Sequence, residues 1–156
     1  MYKFMLNETS YHGAGAIKAV PEEIKARGFK KVFVASDPDL VKFGVTKKVT
    51  DLLDEAGIEY VLYSNIKPNP TIENVQTGVA AFKEAGADCI VAIGGGSSMD
   101  AAKVMWLMYE HPEVNFDDIK QKFMDIRKRA FKFPELGKKA KLVCIPTTSG
   151  TGSEVT

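Results

Sequence analysis

The segment Ile93-Gly94-Gly95-Gly96-Ser97-Ser98-Met99-Asp100-Ala101-Ala102-Lys103 carries the strongest indication of fold and function in this chain. In this segment, an apolar strand is followed directly by three glycines, two serines and the start of a helix. Glycine lets the backbone approach a ligand closely, and the free N–H groups and dipole of a helix start favour an anion. The segment therefore predicts a pyrophosphate site over Gly95, Gly96, Ser97 and Ser98, in which the serines add hydroxyl donors. The alternative interpretation is a tight strand-to-helix turn that Ser98 caps.

Outward from this segment, short apolar runs alternate with helical patterns. The runs are rich in β-branched residues and do not alternate with polar ones, which is typical of strands covered on both faces. The predicted strands are Lys31–Ser36, Tyr60–Tyr63, Cys89–Ile93 and Leu142–Ile145. Helical stripes between them run from Val45 to Ala56, from Ile72 to Phe82 and from Ala101 to Met108, with Gly57 and Gly86 as ends and Pro70 near the start of the second. Repeated strand–helix units predict an α/β fold, a doubly wound and mostly parallel sheet with helices on both faces.

Two further regions lack this regular pattern. The stretch from Met1 to Ile17 indicates an amino-terminal edge strand or hairpin that leads into a short first helix, and Pro21 suits the start of that helix. The stretch from Glu110 to Ala140 is charged, has no strand signal and is interpreted as a helical connection over the sheet, with Phe123, Ile126 and Ala130 on one face. We expect residues 1–156 to form one domain.

Bulk properties exclude several classes of function. The chain has 156 residues and a formal net charge of +1, which gives no electrostatic argument for binding nucleic acid. No apolar run reaches the length of a membrane span and the start does not resemble a signal peptide, so we expect no membrane association and a cytoplasmic location. Cys89 and Cys144 are expected to be buried free thiols. His12 and His111 have no ligand-like spacing and are expected to be surface or capping residues, so no metal site is predicted.

A second loop follows the last predicted strand. Ile145 leads into a stretch dense in hydroxyls and glycines, in which Thr147, Thr148, Ser149 and Thr151 could contact a nucleotide or its ribose. The alternative is an ordinary Ser/Thr/Gly loop. In a doubly wound sheet, both loops would lie at the carboxyl ends of strands, where ligands bind.

Two polar residues follow the first two predicted strands. Asp37 could hold a ribose diol and would repel a 2′-phosphate, which favours NAD over NADP; alternatively it is a turn residue before Pro38. Asn69, before Pro70, is interpreted as a helix cap that also touches the nucleotide.

Taken together, the segments GGGSSMDAAK and IPTTSGTGSEVT resemble the iron-containing, group III alcohol dehydrogenases. The segments MLNETSYHGAGAI, VASDPDL and KPNPTIENV are similar to lactaldehyde reductases within that group. VMWLMYEHPE and FMDIRKRAFKFPELGKKAKLV are more similar to the alcohol dehydrogenase part of bifunctional aldehyde-alcohol dehydrogenases. The resemblance covers the whole chain.

The resemblance implies a Rossmann-like amino-terminal domain that binds NAD. It implies that Asp37 contacts the adenosine ribose, Asn69 the nucleotide, and Gly96, Ser97 and Ser98 the pyrophosphate. Asp100 would lie near the nicotinamide side, and Thr147, Thr148 and Thr151 would form the second nucleotide loop. The full predicted set of cofactor-binding residues is Asp37, Asn69, Gly95, Gly96, Ser97, Ser98, Asp100, Thr147, Thr148, Ser149, Thr151 and Thr156.

The resemblance also implies what the chain lacks. In the family an Asp and three His of a helical domain bind iron or zinc, which polarises the substrate oxygen; residues 1–156 hold none of them. We therefore expect a truncated nucleotide-binding domain that binds NAD(H), holds no metal, has no catalytic residue and is inactive by itself. The resemblance implies that the full enzyme acts on small aldehydes and primary alcohols or diols. It also implies that the chain forms a homodimer or another self-association. The alternatives are a fragment of a lyase similar to dehydroquinate synthase, and a chimeric or truncated α/β scaffold without a ligand.

Overall fold

The computed structural model describes residues 8–114 and 134–155, and all statements below concern those residues. A 3₁₀ turn at Ala16–Lys18 precedes nine longer elements within them. In chain order they are α1 (Ala19–Ala26), β1 (Lys31–Ser36), α2 (Pro38–Lys42), α3 (Val45–Glu55), β2 (Glu59–Tyr63), α4 (Ile72–Ala85), β3 (Cys89–Gly94), α5 (Gly96–Glu110) and β4 (Lys141–Pro146). All four predicted strands are present, with ends that differ from the prediction by at most one residue.

The strands form a four-stranded parallel sheet in the order β2-β1-β3-β4. Phe33 in the middle of β1 lies opposite Val61 of β2 and Ile90 of β3. From β1 the chain moves outward to β2, and from β3 it moves in the opposite direction to β4. The strand order therefore reverses between β1 and β3, and a ligand crevice is expected at their carboxyl ends. The predicted doubly wound α/β fold is confirmed.

Helices cover both faces of the sheet. On one face Ile24 of α1 and Leu53 of α3 pack in one buried cluster with Val32 and Val34 of β1. On the other face Phe82 of α4 and Met105 of α5 pack with Phe33 in a second cluster. Because β1 and β3 are covered on both sides, their residues are almost all buried, which explains their continuous apolar sequence.

The helix ends confirm most of the predicted boundaries. Gly57 and Gly86 follow α3 and α4 in the left-handed conformation, with φ of 67° and 60°. The start of α4 differs from the prediction, because Thr71 is the N-cap and its hydroxyl accepts a hydrogen bond from Asn74 N at 3.2 Å. Asn69 is therefore not the helix cap; it lies two residues earlier with φ of 51°.

The two regions without a regular pattern are described only in part. Residues 8–15 contain no strand, and residues 1–7 of the predicted edge strand or hairpin lie outside the described residues. Residues 111–114 and 134–140 contain no helix, and the rest of the predicted helical connection, including Phe123, Ile126 and Ala130, lies outside the described residues as well.

The two cysteines are free, as predicted, but they differ in burial. Cys89 in β3 is fully buried, and burial raises the pKa of its thiol to about 12. Cys144 is only half-buried, because β4 is an edge of the sheet, so the prediction of a fully buried thiol is wrong there. Burial raises the pKa of Cys144 to about 11. Among the described residues, no helix has the length and apolar character needed to cross a membrane.

Candidate nucleotide-binding site

The candidate site lies where three parallel strands end side by side. Asp37 follows β1, Gly95 follows β3 and Thr147 follows β4. Since β1 and β3 are neighbours at the reversal of strand order, Asp37 and the glycines lie across the predicted crevice from one another.

The start of α5 has no side-chain cap. Gly95 is the N-cap residue, in an extended conformation, and its carbonyl accepts hydrogen bonds from Ser98 N at 3.1 Å and Met99 N at 3.2 Å. The first N–H groups of a helix have no partner inside the helix, so those of Gly96 and Ser97 are left for an anion. The alternative in which the Ser98 side chain caps this turn is wrong. Its hydroxyl instead donates to Asp37 Oδ2 at 3.4 Å.

Three successive glycines each meet a different neighbour at close range. A Cβ on Gly94, whose φ is +153°, would lie 2.5 Å from Ser98 Oγ. A Cβ on Gly95 would lie 3.3 Å from Thr148 Oγ1, and one on Gly96 would lie 2.6 Å from Thr151 Oγ1. Real Cβ atoms almost never come closer than 3.0 Å to such atoms. Gly96 must therefore be glycine for the two loops to approach in this way, and Gly94 must be glycine for Ser98 to pack against the end of β3.

The second loop is attached to the first through its backbone. Thr147 N donates to Gly94 O at 2.9 Å, directly after the β3–β4 pairing ends at Gly94 and Pro146. The two loops, which the sequence predicted at the carboxyl ends of strands, are therefore in direct contact. Thr147, Thr148 and Thr151 are all exposed and thus accessible to a ligand.

Asp37 has the turn role that the sequence offered as one alternative, and its second carboxylate oxygen faces the glycine loop. It is the N-cap of α2, and Oδ1 accepts a hydrogen bond from Leu40 N at 2.9 Å. The other oxygen, Oδ2, faces Ser98 at the start of α5. The half-buried carboxylate is therefore a turn residue before Pro38 and also places a negative charge beside the glycine loop.

Other predicted residues lie farther from this centre. Asn69 is exposed in the loop after β2, and the described residues show no hydrogen bond between it and the glycines. Asp100 is exposed on α5, with its carboxylate 3.9 Å from Lys103 Nζ, and lines a groove along β4. Ser97 is half-buried and Ser149 exposed, whereas Thr156 lies outside the described residues.

Sequence reasoning missed two members of the site, Gly94 and Ser153. Ser153 is 4% exposed, and its Oγ lies 2.8 Å from Thr151 Oγ1. The same Oγ would lie 3.1 Å from a Cβ on Gly96. The sequence shows hydroxyl residues two positions apart, at 151 and 153. It does not show that Ser153 is buried while Thr151 is exposed.

The histidines have local partners. His12 is exposed and bonds through Nε2 to Ser10 Oγ at 2.8 Å. His111 follows the end of α5 and bonds to the carbonyl of Glu135 and the carboxylate of Glu113, both at 2.9 Å; these contacts raise its pKa. In residues 8–114 and 134–155 no three His, Cys, Asp or Glu side chains form a group that could hold a metal ion. The described residues therefore do not fit iron or zinc.

Comparison with known proteins agrees with this geometry. A profile of the iron-containing alcohol dehydrogenase family matches residues 7–156. Aldehyde-alcohol dehydrogenase 2 of Entamoeba histolytica is 56% identical over 128 residues, which are 81% of this chain and 15% of that protein. Lactaldehyde reductase of Escherichia coli is 39% identical over 154 residues, covering 99% of this chain and 38% of that protein. The NADPH-dependent butanol dehydrogenase of Clostridium saccharobutylicum is 42% identical over 157 residues, covering all of this chain and 37% of that protein.

Solved structures have the same fold. An iron-containing alcohol dehydrogenase from Thermococcus thioreducens superposes with a TM-score of 0.86 at 31% identity, over 99% of this chain and 39% of that one. The NADH-dependent butanol dehydrogenase A of Thermotoga maritima superposes with a TM-score of 0.78 at 28% identity, over 99% of this chain and 36% of that one. The chain thus spans between 15% and 39% of the length of these relatives and structures.

Proposed function

This chain belongs to the iron-containing alcohol dehydrogenase family, and we propose that it forms the NAD-binding part of an oxidoreductase acting on small aldehydes and primary alcohols or diols. The substrate class is proposed from the names of the aldehyde-alcohol dehydrogenase and lactaldehyde reductase relatives. Membership in this family favours a dehydrogenase over the lyase alternative.

The observation that carries the proposal is the uncapped start of α5 at the reversal of strand order. A pyrophosphate there would accept hydrogen bonds from the N–H groups of Gly96 and Ser97, and the helix dipole would add to its binding. The hydroxyls of Thr147 and Thr148 lie at the mouth of the same crevice and are exposed. When bound, NAD would supply the carbon that accepts or donates the hydride; the residues of this chain would hold and orient it.

We propose that Asp37 makes the site selective for NAD over NADP. Its Oδ2 lies beside the start of α5, where an adenosine ribose attached to the pyrophosphate would come within reach. A carboxylate can accept hydrogen bonds from the ribose diol but repels a 2′-phosphate. A relative named for NADPH is 42% identical to this chain, and a solved structure named for NADH has the same fold. We therefore attribute the choice of coenzyme to the local charge at the position of Asp37.

Calorimetry with NAD⁺ and ADP-ribose tests the nucleotide site directly. The 156-residue chain should release heat with both ligands at millimolar concentration, and less with NADP⁺. If neither NAD⁺ nor ADP-ribose binds, the proposal is overturned, and an α/β scaffold without a ligand is favoured.

We propose that this chain by itself does not turn over substrate. Asp100 is the residue that the resemblance places near the nicotinamide side. Its exposed carboxylate lies 3.9 Å from Lys103 Nζ, and among the described residues it belongs to no group of three or more His, Cys, Asp or Glu side chains that could hold a metal ion.

We also propose that the chain associates with itself through β4. This strand pairs only with β3 among the described residues, and its other side borders a groove of about 1240 Å³. Val20 of α1 and Leu107 of α5 line that groove, so its walls are partly apolar. An open strand edge recruits other strands, which supports association.

Finally, we propose a cytoplasmic location. Free thiols persist in a reducing compartment, and both Cys89 and Cys144 are free. Two titratable thiols in freshly isolated protein after denaturation would agree with this, whereas an intermolecular disulfide would contradict it.

A further inference from the structure

Ser153 is the one buried residue in a stretch of exposed and half-buried neighbours. Residues 146–151 are exposed and Gly152 and Glu154 are half-buried, but Ser153 is 4% exposed. A small polar side chain is buried at this level when its hydroxyl has a partner, and the partner here is Thr151 Oγ1 at 2.8 Å. Both hydroxyls lie over Gly96, within 2.6 and 3.1 Å of the position that a Cβ would occupy.

Among the described residues, the second loop contacts the glycines both at its start and at its end. We call each of these two contacts a fastening of the loop. At the start of the loop, Thr147 N bonds to Gly94 O at 2.9 Å. At its end, the hydroxyl pair of Thr151 and Ser153 packs on Gly96. Thr148 lies between the two fastenings, with its hydroxyl near Gly95. Loss of either fastening would let Thr148 move relative to the start of α5.

We propose that Ser153 is a positioning residue that, through Thr151, holds the second loop against Gly96 so that donors from both loops converge on a pyrophosphate. The proposal rests on the proposed nucleotide site. It changes the predicted role of Thr151: its hydroxyl is engaged by Ser153 and acts through Gly96, whereas the sequence prediction made it a direct nucleotide contact.

The chemistry predicts a specific selectivity. A ligand with two linked phosphates can reach donors on both loops, whereas a single phosphate can be satisfied by the helix start alone. Removing the hydroxyl pair should therefore weaken ADP more than AMP. A general loss of stability would weaken both ligands alike.

The test measures affinities for ADP and AMP by NMR titration in Ser153→Ala, Thr151→Val and the double variant. Each single variant should weaken ADP by about three- to tenfold, the size expected for one hydrogen bond, and should lower the ADP-to-AMP affinity ratio. The double variant should be little worse than either single one, because the two hydroxyls act as a pair. Thr77→Val removes an exposed hydroxyl that bonds to Glu73 O on α4, and it should change neither affinity.

Two outcomes would overturn the positioning role. An unchanged ADP-to-AMP ratio in Ser153→Ala is one. The other is a loss of ADP affinity in Thr151→Val but not in Ser153→Ala, with additive effects in the double variant. That result would make Thr151 a direct ligand contact.

Hydrogen exchange in the ligand-free chain separates this inference from the proposed function. Exchange of the Thr147 amide should be several-fold faster in Ser153→Ala than in the unmodified chain, and unchanged exchange would overturn the inference. If exchange accelerates but the unmodified chain binds neither ADP nor NAD⁺, the nucleotide-binding role fails while the coupling of the loops stands.

Discussion

The Ser98 hydroxyl donates to Asp37 Oδ2 at 3.4 Å across 61 residues of sequence. The contact joins the residue that follows β1 to the first turn of the helix that follows β3. It places one negative charge at the rim of a site whose helix dipole favours anions. The same carboxylate that would hold a ribose diol therefore borders the pyrophosphate position, and its charge is the feature most directly open to test.

Removing the charge of Asp37 should relax the choice of coenzyme. Asp37→Ser keeps a side-chain oxygen to cap α2 but removes the carboxylate. The affinity for NADP⁺ relative to NAD⁺ should rise by about tenfold, or ~1.4 kcal/mol, because one repulsive interaction with the 2′-phosphate is lost. Calorimetry at low salt measures the ratio. Asp39→Asn, in the first turn of the same helix, is the control, and an unchanged ratio in Asp37→Ser would reject the assignment.

A side chain at Gly96 should weaken nucleotide binding. The Cβ of Gly96→Val would lie 2.6 Å from Thr151 Oγ1, so the two loops would be forced apart at a cost of about 1–3 kcal/mol. NAD⁺ affinity should fall by about tenfold or more. Gly150→Ala, where a Cβ meets nothing within 4 Å, should lose less. Equal binding by Gly96→Val and the unmodified chain, with the fold verified by circular dichroism, would mean that the pyrophosphate binds elsewhere.

Glu110 should stabilise the fold in a pH-dependent way. Its buried carboxylate accepts hydrogen bonds from the four successive backbone amides of residues 137–140 and from Trp106 Nε1. Burial raises its pKa, but the backbone N–H groups outweigh burial and leave the pKa below the ordinary value of 4.5. At neutral pH, Glu110→Gln should lower the free energy of unfolding by about 2–3 kcal/mol, because it leaves buried N–H groups without acceptors.

The sign of the pH dependence follows from the lowered pKa. The ionised carboxylate contributes its full stabilisation above the ordinary glutamate pKa, and the contribution disappears as the pH falls through the lowered one. Urea unfolding should therefore show the difference between the unmodified chain and Glu110→Gln shrinking below about pH 4.5. Glu135→Gln, an exposed partner of Lys138, should change stability by less than about 0.5 kcal/mol at any pH. A difference that stays constant in acid would contradict the role of the charge.

The isolated chain should show no dehydrogenase activity. Hydride transfer requires a polarised substrate oxygen and a substrate held against the nicotinamide. NADH absorbance is followed with lactaldehyde, acetaldehyde or butyraldehyde, with and without Fe²⁺ or Zn²⁺. Metal-dependent oxidation of NADH by the purified chain would reveal a ligand set that the described residues do not include.

Association through β4 should depend on its outward N–H groups. Lys141 N and Thr147 N point toward β3. Because the backbone alternates along a strand, the N–H of Cys144 points to the opposite edge, where β4 has no partner strand among the described residues. Pro146 occupies another outward position on that edge. Sedimentation velocity should show concentration-dependent dimers or larger species. Cys144→Pro should weaken association and Cys144→Val, which keeps the N–H, should not. A monomer at all concentrations, or equal association of both variants, would exclude this edge.

The sequence by itself determined the four strands, most of the helices and the central glycine loop, but not the short helix α2 (Pro38–Lys42). Continuous apolar runs predicted β1 and β3 because both faces of those strands are buried. The strand–GGGSS–helix order predicted that a helix begins at the glycines, because glycine and the helix dipole act locally, but it left open whether Ser98 caps that helix. Only the tertiary structure decided that Ser98 bonds to Asp37, that Ser153 is buried against Gly96, and that the Glu110 carboxylate holds residues 137–140. Each of these contacts joins segments 27 to 61 residues apart. Their distances depend on strand order and register, which local periodicity does not encode.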